Sequence, residues 1–381
     1  MKTEVLTLYL CKMIRNCHYR NELRLRNMKK SFLLCLIMVL TIATFFGCQR
    51  SDTNLGSKQA NLFTFSSGQR DGTYYPAVKQ LKDVLQDSRF RFDNQESGGS
   101  IDNLEKLRDG KVDFALAQYD ALYMLLEKDK RQDETKTQEK IRIFAPVMPE
   151  IVHILVRSDV YQKDAINFKN VGFKALRNKM VAIGSERSGS FVTATSLYVL
   201  NDLEDAFLSR GEQQVITYKS DESIDKLIKG EKIGNKTLDA VIYVAKKGVN
   251  ILHTAPKDSQ IRLLEICDSS FVEDQNFYNR TSIQGDGKVY PWQKESVQTL
   301  STPSFIFVRS DLPEQKVSQL AEVIYAKEKE LGQRDPFWKA LSVERARDNI
   351  LQGFPYHSGV IAFIRQSQQN QSQDQANTDD Q

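Results

Sequence analysis

Three glycine- and serine-rich segments carry the residue types best suited to chemistry. They are Ser66-Ser67-Gly68 running on to Gly72-Thr73, Ser97-Gly98-Gly99-Ser100, and Gly184-Ser185-Glu186-Arg187-Ser188-Gly189-Ser190. Each stands where an apolar strand pattern gives way to a helical one. Glycine lets the backbone turn tightly there, and the first amides of the following helix have no partner within it. Free N–H groups at the positive end of a helix dipole favour an anion. Thr73 can cap the first of these helices and Ser100 opens the second, while Arg187 offers a fixed positive charge suited to a carboxylate, with Glu186 beside it able to neutralise it. Neither GKS/GKT nor GxGxxG occurs in these segments, which excludes the P-loop and the dinucleotide fingerprint. Any parallel sheet also needs such turns for purely structural reasons, so binding requires that the three loops converge.

Catalysis finds less support. The four histidines, His18, His153, His253 and His357, show no HxxxH or HxH spacing, no CxxC occurs, and GxSxG is missing. His153 lies in an alternating apolar strand and reads as a core residue; His357 reads as fixing a turn. Asp113 and Asp239 occupy equivalent places before two strands and read as structural turns. Tyr74, Tyr75 and Tyr290 can stack on or hydrogen-bond a ligand, or simply pack. No catalytic residue, metal site or cofactor is expected, and the chain is read as a binding protein rather than an enzyme.

The elements that must position the three loops form a repeat. Strand Leu62 to Phe65 leads to a helix over 73–85, strand Phe90 to Asp93, a helix from Ser100, and strand Val112 to Gln118. The second half replays this with strand Met180 to Ile183, a helix carrying Val192, Leu197 and Leu200, strand Val215 to Tyr218, a helix lined by Ile224, Leu227 and Ile228, and strand Leu238 to Val244. Strands separated by helical periodicity imply parallel sheets, and ligands of such sheets bind at the carboxyl ends of strands. Two facing lobes would bring all three loops to one cleft. Ile151 to Arg157 and Ser304 to Arg309 are apolar runs that both end in VRSD, as suits a hinge crossed twice. The charged stretch Lys128 to Lys140 reads as a solvated loop, and the Gln/Asn/Asp-rich segment from Gln366 to Gln381 as a disordered tail.

Bulk properties agree. A chain of 381 residues suits two lobes. Its net charge of +4 is concentrated in residues 1–47, which hold eight Lys/Arg and two acids; removing these from the 53 basic and 49 acidic residues leaves 45 and 47, a net of −2 with no long basic block. A nucleic-acid surface is therefore not expected. Met28-Lys29-Lys30, the apolar run Phe32 to Phe46 and Gly47-Cys48 read as a signal sequence, too short for a membrane span of ~20 residues. Residues 1–27 read as a mis-called start or extension. With Cys11, Cys17 and Cys35 in the leader and Cys48 at its end, only Cys267 remains, so no intramolecular disulfide is expected.

Gly47-Cys48 resembles the lipobox of bacterial lipoproteins, with Phe45 and Phe46 departing from its usual residues; the resemblance implies acylation at Cys48. SSGQRDGTYYP, ESGGSIDNLEKLRDGKVDFALAQYD, MVAIGSERSGSFVTATSLYVL and PYHSG resemble the TAXI family, the extracytoplasmic solute-binding subunits of TRAP transporters. The likeness covers most of residues 60–365. It implies an α/β, two-lobe periplasmic-binding-protein-like fold with hinge strands and an interlobe ligand cleft. It also implies a small organic anion, of the amino acid or dicarboxylate class, and TRAP membrane permease subunits as partners.

Carried over by position, the family's ligand loops fall on Ser67, Gly68, Gly72, Thr73 and Tyr74, then Gly99 and Ser100, then Gln118. On the opposing lobe they fall on Ser188, Gly189, Ser190, Thr193 and Tyr243. Two places depart from the pattern. Gly184-Ser185-Glu186-Arg187-Ser188-Gly189 replaces Gly-Ala-Pro-Gly-Ser-Gly, and Ala245-Lys246-Lys247-Gly248 replaces Ala-Gly-x-Pro. The expected organisation is a signal at 28–47, a lipidated linker at 48–60, lobe 1 at 61–150 and 304–365, lobe 2 at 158–300, hinges at 151–157 and 301–309, and a tail at 366–381. The expected role is capture of solute for a TRAP-type transporter outside the cytoplasm, periplasmic or at the cell surface, with the membrane reached through the Cys48 anchor. A ligand-sensing lipoprotein signalling to a membrane receptor is the alternative, and an enzyme on the same fold a third.

Overall fold

The computed structural model describes residues 61–70, 72–163, 172–208, 214–266 and 278–379, with side chains described to residue 370. The leader, the Cys48 anchor, the linker at 48–60 and Cys267 lie outside the described residues.

Twelve strands are described, numbered in chain order: β1 (Asn61–Gly68), β2 (Phe90–Glu96), β3 (Phe114–Gln118), β4 (Ile141–Arg157), β5 (Val181–Ala182), β6 (Val215–Ile216), β7 (Lys232–Ile233), β8 (Lys236–Thr237), β9 (Ala240–Ala245), β10 (Ile261–Leu263), β11 (Asn279–Ile283) and β12 (Val297–Arg309). The helices that matter for the site are α1 (Tyr74–Val84), α2 (Ser100–Arg108), α3 (Tyr119–Arg131), α4 (Lys136–Lys140), α5 (Gly189–Leu200), α6 (Ser220–Lys229), α7 (Glu314–Tyr325) and α8 (Ser358–Asp379).

The main sheet runs β2-β1-β3-β12-β4-β9-β5-β6, with β10 on β4 and β11 on β12. Its two ends are built alike. In one lobe β2, β1 and β3 are parallel and β12 is antiparallel to β3; in the other β6, β5 and β9 are parallel and β4 is antiparallel to β9. Each lobe therefore orders its strands second, first, third, which opens a crevice beside the carboxyl end of its first strand. This is the two-lobe α/β plan of a periplasmic-binding-protein-like fold. Asp113 Oδ2 accepts from the Thr64 amide at 2.9 Å, and Asp239 Oδ2 accepts from the Met180 amide at 2.8 Å, so each aspartate ties its third strand to the first.

Both lobes bury the apolar side chains that the strand alternation predicts. Phe63, Phe65, Phe92, Phe114 and Phe144 stack in the first, with Phe63 and Phe114 centroids 5.3 Å apart, edge to face. Leu155, Ile224, Leu227, Leu238 and Val241 fill the second.

Two strands cross between the lobes. β4 pairs with β12 up to Ile151 and with β9 from Ile151 onward; β12 pairs with β11 up to Ser301 and with β3 from Ser304. At the crossing, Thr302 partners Glu150 while Ser304 partners Val147, so β4 carries an extra residue there. Pro149 and Pro303 lie within this irregularity, and neither has an amide to give to the ladder.

One local expectation is corrected. Lys128 to Lys140 is not a loop: α3 continues to Arg131 and α4 follows, and Asp129, 2 % exposed, accepts from the Thr137 amide at 2.6 Å. The charges line the solvent face of helices whose inner face is a few residues wide. The tail from residue 366 is helical to Asp379 as part of α8, which is anchored by buried Val360 and Ile364 against α7. Propagation from a helix already nucleated needs no apolar pattern of its own. Among the described residues no helix is long and apolar enough to cross a membrane.

Candidate functional site

Between the lobes lies a cavity of about 100 Å³ at the carboxyl ends of β1, β3 and β9. Of the fourteen binding residues expected from sequence, it gathers twelve: Ser67, Gly68, Gly72, Thr73, Tyr74, Gly99, Ser100, Gln118, Ser188, Gly189, Ser190 and Tyr243. Arg187 and Thr193 do not line it.

The wall supplied by lobe 1 is fixed by Asn103, fully buried on α2. Its Oδ1 accepts from Ser66 and Ser97 at 2.6 and 2.5 Å, and its Nδ2 donates to the Leu116 carbonyl at 2.6 Å. One side chain thus pins β1, the β2–α2 loop and β3. Ser67 donates to Asn94 Oδ1, which holds the neighbouring turn. Thr73 does not cap α1: its backbone is already helical (φ −74°, ψ −42°), and its side chain makes no cap bond. Capping needs an extended residue whose oxygen reaches forward to the free amides. Ser100 is likewise not the cap of α2. Gly99 holds that position at φ 119°, and Ser100 Oγ accepts from the Gln118 amide at 3.3 Å.

In lobe 2, Ser188 is a true cap. It is extended, and its Oγ accepts from the Phe191 amide at 3.2 Å. Ser190 Oγ accepts from the Val244 amide at 2.9 Å, tying α5 to β9. Among the described residues the amides of Gly189 and Ser190 have no protein acceptor, so the start of α5 keeps its capacity for an anion.

The lobes are closed on one another. The Ile101 amide of α2 donates to the Arg187 carbonyl across the cleft at 3.2 Å. A Cβ added to Gly99 would stand 2.9 Å from Ser188 Cα, and one on Gly189 would stand 1.4 Å from Gln118 Oε1. At Gly99, which also has a positive φ, the obstacle is backbone and only glycine fits; at Gly189 it is the end of the Gln118 side chain. Arg187 departs from its expected role as ligand cation: its guanidinium turns outward to Asp102 and Glu105 of the other lobe, at 2.7 and 2.6 Å. Burial pushes the Asp102 carboxyl up, but the Gly98 amide, Lys106 and Arg187 outweigh it and hold the group below its ordinary value. Thr193 lies behind the cavity, where its Oγ1 donates to Asp120 Oδ2 at 2.6 Å; Tyr278 donates to the same oxygen at 3.0 Å. Burial raises Asp120 to about 6 against the lowering effect of these two bonds.

Sequence reasoning missed Glu150, Ser220 and Asp221, which also line the cavity. Glu150 stands at the crossing of β4, 5 % exposed, and Tyr74 donates to its Oε2 at 2.8 Å. Burial drives its carboxyl up to about 8 against that hydrogen bond, with the Asp120 charge adding to the rise. Its sequence signal was an acid beside Pro149, heading an otherwise apolar strand. Among the lining residues there is no lysine or arginine. His153 is fully buried outside the cavity, Nε2 2.7 Å from the Tyr290 hydroxyl, and burial lowers it to about 4; His357 Nδ1 accepts from the Gly359 amide, closing a turn. Among the described residues no group of His, Cys, Asp and Glu could hold a metal ion.

The chain is similar to several solved structures. PhnD1 from Prochlorococcus marinus in complex with methylphosphonate aligns with a TM-score of 0.48 at 15% identity, over 75% of this chain and 92% of that one. A binding protein component of an ABC phosphonate transporter from Pseudomonas aeruginosa aligns at 0.46 and 12%, over 74% and 80%. The alkanesulfonate-binding protein SsuA from Xanthomonas axonopodis pv. citri, bound to MOPS, aligns at 0.40 and 16%, over 80% and 83%. A family model described as the NMT1-like family matches residues 65–366, well over half of the 381 residues and including every cavity-lining residue, and the chain belongs to the NMT1-like family.

Proposed function

We propose that this chain is a solute-binding protein, exported and lipid-anchored at Cys48, that closes two lobes on one small polar organic molecule and delivers it to a TRAP-type permease. It performs no chemistry on the ligand. The observation that carries this reading is the interlobe cavity, lined from both lobes and spanned by two crossing strands that can bend as a hinge. Its volume of about 100 Å³ limits the guest to a small molecule, since a cavity of roughly 150 Å³ accommodates benzene. A carboxylate of the ligand meets the amides of Gly189 and Ser190 at the start of α5, where the Ser190 hydroxyl supplies a further donor.

Native mass spectrometry of protein purified from cells tests this. One retained small molecule per chain, released unchanged on denaturation, is the expected result. Conversion of that molecule by the protein would overturn the binding role in favour of an enzyme. The anchor is tested separately by the acyl mass on the peptide beginning at Cys48, and its absence removes that part of the proposal.

A further inference from the structure

Glu150 is the one cavity-lining carboxyl in the hinge itself. The extra residue of β4 and the prolines at 149 and 303 break the ladder there, and the Glu150 side chain turns into the cleft floor rather than out to solvent. Tyr74 satisfies Oε2, and among the described residues Oε1 has no protein donor. The groups around it offer no compensating charge. Tyr74 faces it from α1, its hydroxyl also 3.4 Å from Ser304 Oγ of β12; Asp120 adds negative charge from α3, and Asp221 and Tyr243 complete the titratable lining. The cations flanking the lining residues in sequence pair elsewhere: Arg70 with Glu96, Arg187 with Asp102 and Glu105, Lys219 with Glu222, and Lys246 with Asp335 at 2.7 Å.

A buried carboxyl without a cation is a costly arrangement unless the ligand completes it. The α5 amides on the opposite lobe favour an anion, so one cavity presents an acceptor for a cation and donors for an anion. We propose that the ligand is a compact zwitterion whose protonated primary or secondary amine donates to Glu150 while its acid group lies on the start of α5. This rests on the solute-binding reading and narrows it: dicarboxylates and hydroxy acids without nitrogen are excluded as ligands of choice, and a fully methylated ammonium, having no N–H, is a poor substitute.

Binding such a ligand near neutral pH has a proton balance. The carboxyl of the empty site holds a proton, burial having raised it to about 8, and pairing with an ammonium expels that proton to solvent. Hydrogen bonding of a neutral Glu150 to a ligand carboxylate would expel none.

The test is calorimetry on the full mature protein, stripped of retained ligand, with a panel of α-amino acids, their hydroxy-acid and deamino counterparts, and N-trimethylated forms. At least one amino acid should bind at least about tenfold more tightly than its nitrogen-free counterpart, from the loss of a charged hydrogen bond. Its heat should change with the ionisation enthalpy of the buffer in the sense of proton release, and Glu150→Gln should remove that dependence and weaken binding. Tyr74→Phe, which leaves Glu150 in place, should retain proton release. Tight binding of nitrogen-free acids, undiminished in Glu150→Gln and without proton release, overturns the inference and leaves the solute-binding role standing. Failure of the whole panel, with no small molecule retained by protein from cells, overturns both.

Discussion

Arg187 of the second lobe and Asp102 of the first are joined across the mouth of the cleft, with Nη2 2.7 Å from Oδ1, and the same guanidinium reaches Glu105. Lys246 and Asp335 make a second interlobe pair. Both cations occupy the places where the chain departs from the loop pattern it resembles. The Arg187 side chain is about half exposed, so each contact is worth only ~0.2–1 kcal/mol and is screened by salt. Arg187→Ala combined with Lys246→Ala is expected to enlarge the solution radius of the empty protein and to weaken ligand binding by a few-fold. Scattering and calorimetry at low and high salt measure this. An unchanged radius, with the salt dependence of affinity also unchanged, shows that the pairs do not hold the lobes together.

A steric probe of closure comes from Gly189. Its backbone is the first turn of α5, so alanine there suits the helix, yet the added Cβ would stand 1.4 Å from Gln118 Oε1 in the opposite lobe. Gly189→Ala is expected to leave the melting temperature of the empty protein nearly unchanged while lowering affinity by at least about tenfold, because the lobes must separate to make room. Full affinity, with the same contraction on adding ligand, would show that Gln118 moves aside instead.

The two buried carboxyls set a pH dependence of stability. Glu150 is raised from 4.5 to about 8 and Asp120 from 3.8 to about 6, so the folded state binds more protons than the unfolded one between those limits. For a raised group, the stabilising contribution is present below the unfolded value and is lost as pH rises through the folded one. Wild type should therefore lose stability relative to Glu150→Gln between about pH 4.5 and 8, the interval spanned by the Glu150 shift. Thermal melts of both proteins across that range decide the matter. Parallel curves would mean that Glu150 is ionised in the empty protein.

Much of this architecture was legible because it is written in periodicity. The repeated strand–helix order follows from alternation, which single residues report well, whereas Asp113 and Asp239 read as turns until the sheet shows each tying its third strand to the first. The cleft loops were legible for the same reason, since glycines at 99 and 189 mark close backbone approaches. Side-chain destinations were not legible. Arg187 reads as a ligand cation until Asp102 and Glu105, 85 and 82 residues away in sequence, are brought beside it. Glu150 carries its role through a one-residue irregularity between two strands distant in sequence, and no spacing within either strand announces that. Lys128 to Lys140 misled because a helix with a narrow buried face shows mostly charge.

The two cleft serines make the last test. Ser100 Oγ accepts from the Gln118 amide at 3.3 Å and lies 3.5 Å from Gln118 Oε1, whereas Ser190 Oγ accepts from the Val244 amide at 2.9 Å and keeps its own proton for a ligand. Alanine at either position strands a buried amide, at a cost of ~1–3 kcal/mol. Both variants should therefore melt lower than wild type without ligand, which contradicts a purely ligand-directed role for the hydroxyls. They should part company when ligand is added. Ser100→Ala loses an oxygen already committed to Gln118, so its affinity should fall little. Ser190→Ala also loses a donor to the ligand acid group, a charged hydrogen bond of ~1.5–3 kcal/mol, or roughly ten- to a hundredfold in affinity. Thermal shift and calorimetry on the pair separate the two effects. Equal affinity losses in both would place the ligand against both lobes alike, and no loss in Ser190→Ala would move its acid group away from the start of α5.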